Sequence, residues 1–328
     1  MIQTLHFAGQ PASKPVQQGF SRRTFLRGAV AMGVVGLSGR YLAGDTYDSQ
    51  SSPANLSCSS VSHHSQLPAE SRFAVMGDTG WARTQRNVSK IGKQMAKTWQ
   101  QMPFNNVLML GDNIYNDGNV DKWGMQRFVE PFQALLNNGV RFIAALGNHD
   151  TLKDRSHVQD QINFPYWHMP ATYYTETLGP NNEVQLFVVD TTRLNKHQMQ
   201  WLDTELGKST APFKIVAGHH PARSSTGHGV STGEKLLPLL EKHKVPLYLA
   251  GHQHSYERFR SINGVTQIIS GGGGAPLRRF GSPAEGSLYR LSQHHFIVFE
   301  ILPTQLHFSV INKQGSMIDC GEIIKPAA

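Results

Sequence analysis

The stretch VLMLGDNIY, Val107–Tyr115, decides how this chain folds. Four apolar residues, enough for a strand buried on both faces, stop at a glycine and give way at once to Asp112 and Asn113. The same punctuation recurs along the chain. FAVM, FIAAL, KIVA and LYLA are also short apolar runs, and the five runs end in Gly77-Asp78, Gly111-Asp112, Gly147-Asn148, Gly218-His219 and Gly251-His252. Helical patterns near 86–101, 121–136, 196–207 and 233–243 lie between the runs, and short strands such as HFIVFEI and LHFSVI close the chain. Strands alternating with helices predict an α/β sheet core, and the closing strands predict antiparallel additions to it.

In such a sheet, ligand-binding residues collect on the loops at the carboxyl ends of the strands. A single Gly-Asp after an apolar run is an ordinary turn. Five strand ends that supply two aspartates, an asparagine and two histidines are something else, because turns alone have no reason to select GHQH. Asp78, Asp112, Tyr115, Asn148, His219, His252 and His254 make seven candidate metal ligands, more than one ion needs. A bridging carboxylate such as Asp112 lets two ions share the set, and two ions ~3.5–4 Å apart clamp both oxygens of a phosphoryl displacement.

The set GDTG, GDNIY, GNHD, VAGHH and GHQH, in this order between Arg72 and Ile323, resembles the metallophosphoesterases, and among them the small, tartrate-resistant type of purple acid phosphatase. The resemblance implies an α/β fold, a four-layer sandwich of two mixed β-sheets flanked by helices. It implies that Asp78, Asp112, Tyr115 and His254 hold Fe(III), while Asp112, Asn148, His219 and His252 hold a second, divalent metal (Fe, Zn or Mn). A phenolate is a hard anionic donor suited to ferric iron, and imidazoles with a neutral amide suit a divalent ion. Many other metallophosphoesterases have a histidine two residues after the first aspartate and no tyrosine at the later place; here Gly80 and Tyr115 stand there. The alternative for Tyr115 is a packed aromatic with a satisfied hydroxyl.

By the same resemblance His149 and His228 are the catalytic residues, contacting substrate or protonating the leaving group. His220 has no role in the family and is read as a supporting or structural residue. The first motif usually has tryptophan directly after the aspartate; here it is Thr79, with Trp81 further on, so the packing beside the metal differs. Between Asp190 and the helix beginning near Lys196 the chain is short, where animal enzymes of the small type carry a longer loop that restrains activity. No proteolytic trimming is therefore expected. The implied activity is acid phosphatase hydrolysis of phosphate monoesters by metal-bound hydroxide. A phosphodiesterase or nucleotide hydrolase using the same site is the alternative, and a non-catalytic metal-binding or iron-redox protein a further one.

The bulk composition fits small phosphorylated substrates as partners. The formal charge is +8, but no Lys/Arg run is interleaved with aromatics, so no nucleic-acid partner is expected. Near the start, SRRTFLRGAVAMGVVGLSG, Ser21–Gly39, puts paired arginines before an apolar run shorter than the ~20 residues that span a bilayer. Arg22-Arg23 with Phe25 and Leu26 resembles the twin-arginine signal, so the export machinery is a further partner and a periplasmic or secreted location, with no stable membrane anchor, is implied. The predicted organisation is an export signal at 1–40, a Ser-rich linker at 41–70 and a catalytic domain at 71–328. Cys58 and Cys320 either pair in an oxidising compartment or remain free thiols, and they are too few for a thiolate metal site.

Overall fold

The computed structural model describes residues 67–81, 86–226 and 230–326. The export signal, most of the linker and Cys58 lie outside the described residues, as does His228. Thirteen strands form two sheets among the described residues. In the first, β13 (Met317–Ile324), β12 (Gln305–Asn312), β11 (His295–Ile301), β1 (Arg72–Met76), β2 (Asn106–Met109) and β3 (Arg141–Ala144) lie in that order. In the second, the order is β10 (Ser287–Leu291), β8 (Tyr256–Phe259), β9 (Thr266–Ser270), β7 (Leu247–Ala250), β6 (Phe213–Gly218), β5 (Val184–Val188) and β4 (Tyr174–Leu178).

The apolar runs that read as strands are the parallel strands. β1 pairs parallel to β2 and β2 to β3, while β5, β6, β7 and β9 form a parallel series in the second sheet. Both faces of these strands are covered, which is why their sequences are continuously apolar rather than alternating. The antiparallel additions are β11 to β13 in one sheet and β4, β8 and β10 in the other. Both sheets are thus mixed, as the sandwich resemblance implies.

Helices cover the outer faces. α1 (Arg86–Gln101) buries Val88, Ile91, Met95 and Thr98, a single face at helical spacing. The run α2 (Val120–Gly124) to α3 (Glu130–Leu136) is continuous but passes through a π-turn at Met125–Val129. Pro131 lacks the N–H that would close an α-turn there, and the π-turn accommodates the loss. A short helix, α4 (Val158–Ile162), sits on the loop after β3. α5 (Lys196–Lys208) and α7 (Leu237–Lys242) pack over the second sheet with Leu202, Leu206, Leu236 and Leu240 against Phe187, Val216 and Tyr248. The helix expected near 233–243 is two pieces, α6 (Ser231–Glu234) and α7, because Pro238 opens the second one. No helix among the described residues is long and apolar enough to cross a membrane.

Two buried ion pairs tie the strands, one within a sheet and one between the sheets. Arg72 of β1 donates from Nε to Glu300 of β11 at 2.9 Å, across strands in direct register. Asp319 of β13 accepts from Tyr256 Oη at 2.6 Å and from Arg258 Nε at 2.7 Å, both on β8, and so pins one sheet to the other. Cys320, the next residue, is disulfide-bonded.

Candidate metal centre

The carboxyl ends of β1, β2 and β3 meet those of β6 and β7 along one crest of the sandwich, and six of the seven candidate ligands follow those strands by one to four residues. Tyr115, the seventh, comes six residues after β2. Left-handed backbone makes the sharp exits: Asp78 has φ 60°, Asp112 φ 53° and His252 φ 67°. Such conformations are uncommon for residues with side chains and gather at functional sites. Gly111, at φ 84°, has no alternative, since a Cβ there would lie 2.7 Å from the His219 ring and from the Gly147 nitrogen. Backbone bonds then tie loop to loop, from Asp78 N to Gly111 O at 3.0 Å and from Gly251 N to His219 O at 3.0 Å.

All seven candidate ligands converge, in two groups. Tyr115 Oη lies 3.2 Å from Asp78 Oδ1 and 3.1 Å from His254 Nε2. On the other side, Asn148 Oδ1 lies 3.0 Å from His219 Nε2 and 2.9 Å from His252 Nδ1, and these ring nitrogens are 3.2 Å apart. Asp112 stands between, its Oδ1 3.4 Å from His219 Nε2 and its charge acting on the Tyr115 phenol. His149 joins the cluster, donating from its backbone N to Asp112 Oδ1 at 2.8 Å and laying its ring against Tyr115 at 4.3 Å. Trp81 meets the Tyr115 ring edge-on at 5.1 Å, so the displaced tryptophan still packs beside the cluster.

The hydrogen-bond pattern shows that this donor set fits cations. His219 gives its Nδ1 proton to the Leu110 carbonyl at 2.8 Å, and His254 gives its own to the Pro276 carbonyl at 2.7 Å. In the neutral rings Nε2 is then a bare lone pair in each case. Around Asn148 Oδ1 a carbonyl oxygen faces the His219 lone pair, with His252 Nδ1 beside both; around Tyr115 a single phenol proton faces a carboxylate and an imidazole. Acceptors converge this closely when a cation lies among them. Asp78, Asp112 and His219 offer atoms within 4.8 Å of one another, as do His219, His220 and His252.

Electrostatics say the same. Burial, with Asp78 and Asp112 adding, pushes the Tyr115 phenol well above its ordinary pKa. Burial resists charge on Asp78, but His254, with His219 and His252 adding, outweighs it and holds that carboxyl below the usual range. Burial, with His219 adding, pushes His252 down to about 2, keeping it a neutral donor.

Two residues outside the candidate set hold it in place. Asp150, fully buried, accepts from the backbone of Gly147 at 2.8 Å, Ile114 at 2.9 Å and Asn113 at 3.1 Å, so it ties the loop after β3 to the loop after β2. Thr191 Oγ1 accepts from His219 N at 3.2 Å and His220 N at 2.9 Å. Asp150 sits inside the GNHD motif that supplied Asn148 and His149, and was legible there as the remaining carboxylate; nothing in the local sequence marks Thr191.

Residues 71–256 match the family model for calcineurin-like phosphoesterases, and the chain belongs to that family. Within it the chain is purple-acid-phosphatase-like. It is 30% identical over 251 residues to purple acid phosphatase 4 of Arabidopsis thaliana, covering 67% of this chain and 72% of that one. It is 26% identical over 298 residues to tartrate-resistant acid phosphatase type 5 of Sus scrofa, covering 75% and 85%. Among solved structures, the purple acid phosphatase PPD1 from yellow lupin (Lupinus luteus) seeds superposes with a TM-score of 0.65 at 20% identity, over 77% of this chain and 53% of that one. GAP50, described as the anchor in the inner membrane complex of Plasmodium, reaches 0.67 at 20% identity, over 78% and 89%. At that identity the superpositions establish the fold alone, and the chemistry rests on the residues at the crest.

Proposed function

We propose that the protein is an acid phosphatase that hydrolyses phosphate monoesters at a binuclear Fe(III)–M(II) centre. The observation that carries this reading is Tyr115, whose buried hydroxyl stands between Asp78 and His254 where a ferric ion would take a phenolate. Asp78, Asp112, Tyr115 and His254 are the iron ligands of this reading; Asp112, Asn148, His219 and His252 are those of the divalent ion. Ions held there supply Lewis-acid stabilisation of the phosphoryl group and a water acidic enough to serve as nucleophile at low pH. Asp112, between the two groups, is the shared ligand. His149 is oriented by its backbone N–H bond to Asp112 and by a 3.4 Å contact from Nδ1 to the Asn116 carbonyl, and in its imidazolium form Nε2 would carry the proton passed to the departing alcohol. His228 is the second substrate-contacting histidine of the reading. The Arg22-Arg23 motif supports export by the twin-arginine route to the periplasm or beyond.

Metal analysis and visible absorption of the wild type and of Tyr115→Phe test the iron assignment. A phenolate-to-iron charge-transfer band that disappears in the variant is expected; an active wild type that is colourless and iron-free overturns it. Rates on 4-nitrophenyl phosphate and bis(4-nitrophenyl) phosphate separate monoesterase from diesterase.

A further inference from the structure

We propose that Arg278 is a phosphate-binding residue of the crest, its guanidinium holding an anionic oxygen of the substrate on the side of His252 and His254; this rests on the phosphatase reading above. None of the five strand-end motifs contains it. Arg278 follows β9 in the segment GGGGAPLRR, Gly271–Arg279.

The backbone brings this segment back to the site. Ala275 N donates to the Asp78 carbonyl at 3.0 Å, Arg278 N to the His254 carbonyl at 3.0 Å, and His254 Nδ1 to the Pro276 carbonyl at 2.7 Å. Ser292 Oγ fixes the other side, donating to the Arg278 carbonyl at 2.9 Å. Residues 275–278 are thus stapled to two candidate iron ligands. The guanidinium stands close enough for its charge to act on two histidines of the cluster. It adds to burial, the larger cause, in opposing a proton on His252, and at His254 it again sides with burial, against Asp78. Arginine keeps its charge at every working pH, so a permanent cation sits beside these ligands.

That cation lacks a counter-charge. Three other arginines withdrawn from water each meet a carboxylate, Arg72 with Glu300, Arg155 with Asp190 and Arg258 with Asp319, and Arg127 lies 3.9 Å from the Trp123 ring. Arg278 is half-buried, its Nε is shut off from solvent without an acceptor, and its guanidinium makes no hydrogen bond or ion pair among the described residues. The next residue, Arg279, is simply exposed to water. An unpaired cation beside a cluster that gathers metal ions works against holding them, unless an anion completes the arrangement. A phosphate dianion does so. Its oxygens take charge-assisted hydrogen bonds from the terminal nitrogens of the guanidinium, whose planar fork matches two of them.

The test uses the metal-replete full chain, titrated calorimetrically with inorganic phosphate, with turnover of 4-nitrophenyl phosphate measured beside it. In Arg278→Gln the Kd for phosphate and the KM for the ester should each rise about tenfold, with metal content unchanged. Arg278→Lys, which keeps the charge but not the fork, should recover part of the loss. Wild-type phosphate affinity in Arg278→Gln overturns the proposal, as does loss of metal, which makes Arg278 part of the scaffold. If the wild type binds phosphate yet cleaves no ester, the phosphatase reading fails while the phosphate titration of the variants still decides this one. If it cleaves the ester and Arg278→Gln matches it in Kd and KM, this proposal alone fails.

Discussion

Replacing His295 with glutamine should flatten the acid side of the stability curve. His295 is fully buried at the start of β11. Its Nδ1 donates to the Gln293 carbonyl at 2.9 Å, so Nε2 is the acceptor for Ser270 Oγ at 3.0 Å. Both nitrogens are satisfied in the neutral ring, and a second proton has no acceptor. Burial accordingly pushes its pKa down to about 4, against the opposing pull of the Gln293 carbonyl. In the unfolded chain the ring titrates near the ordinary 6.5. Protons therefore bind the unfolded state more tightly, so the stability this ring contributes is complete above about pH 6.5. It is lost as pH falls toward about 4. That gap corresponds to ~3 kcal/mol, of which roughly 2–3 kcal/mol is lost between pH 7.5 and 4.5. In a domain of this size it equals a fall in Tm of about 5–10 °C. Glutamine cannot take up the proton but keeps an oxygen to accept from Ser270. Urea unfolding of both proteins with the same metal loading, across that pH range, isolates the term as the difference between two slopes. Parallel curves, within about 0.5 kcal/mol, would refute the argument.

Four other outcomes are expected. His149→Gln should lower kcat about a hundredfold with metal content retained; loss of metal instead makes His149 structural. Asp150→Ala strands three buried N–H groups, so a loss of about 3–5 kcal/mol by chemical denaturation and reduced metal retention should appear together. Asp319→Ala leaves Arg258 largely buried without its partner and should cost about 3–5 kcal/mol, whereas pairing it with Arg258→Met should recover most of that. Mild trypsin treatment should raise phosphatase activity less than about twofold, because Asp190 is already pinned by Arg155 Nη2 at 2.6 Å and Asn195 caps α5; a large activation contradicts the expectation for this short connection.

The parts of the fold that read directly from sequence were those in which one physical demand dominates. Parallel strands covered on both faces have to be apolar throughout, so FAVM, VLML, FIAAL, KIVA and LYLA were visible, and the glycine after each gave away the turn. β4 and β8 were not, because the polar and charged residues of Tyr174–Leu178 and Tyr256–Phe259 follow cross-strand and inter-sheet partners rather than one apolar face. Glu176 answers Arg141 at 2.9 Å, and Arg258 answers Asp319, partners that local sequence does not name. The candidate ligands were legible because metal chemistry restricts residue type. Thr191 was not, since its hydroxyl acts through two backbone amides and any strand-end threonine looks the same.

The acid-sensitive ring and the crest are two sides of one glycine run. After β9 the chain passes through Gly271–Gly274, and Gly273 N bonds to the Gly77 carbonyl at 2.9 Å, directly before Asp78. A Cβ on Gly271 would stand 2.7 Å from Asp78 Oδ2, and one on Gly272 would stand 2.3 Å from His295 Nδ1. Adjacent glycines thus contact His295 on one side and Asp78 on the other, and the run has no side chains of its own with which to absorb a displacement of that ring. Asp78 is already in left-handed backbone and depends on these neighbours to stay there. A proton forced onto His295 therefore loosens the support of a candidate iron ligand as well as the core.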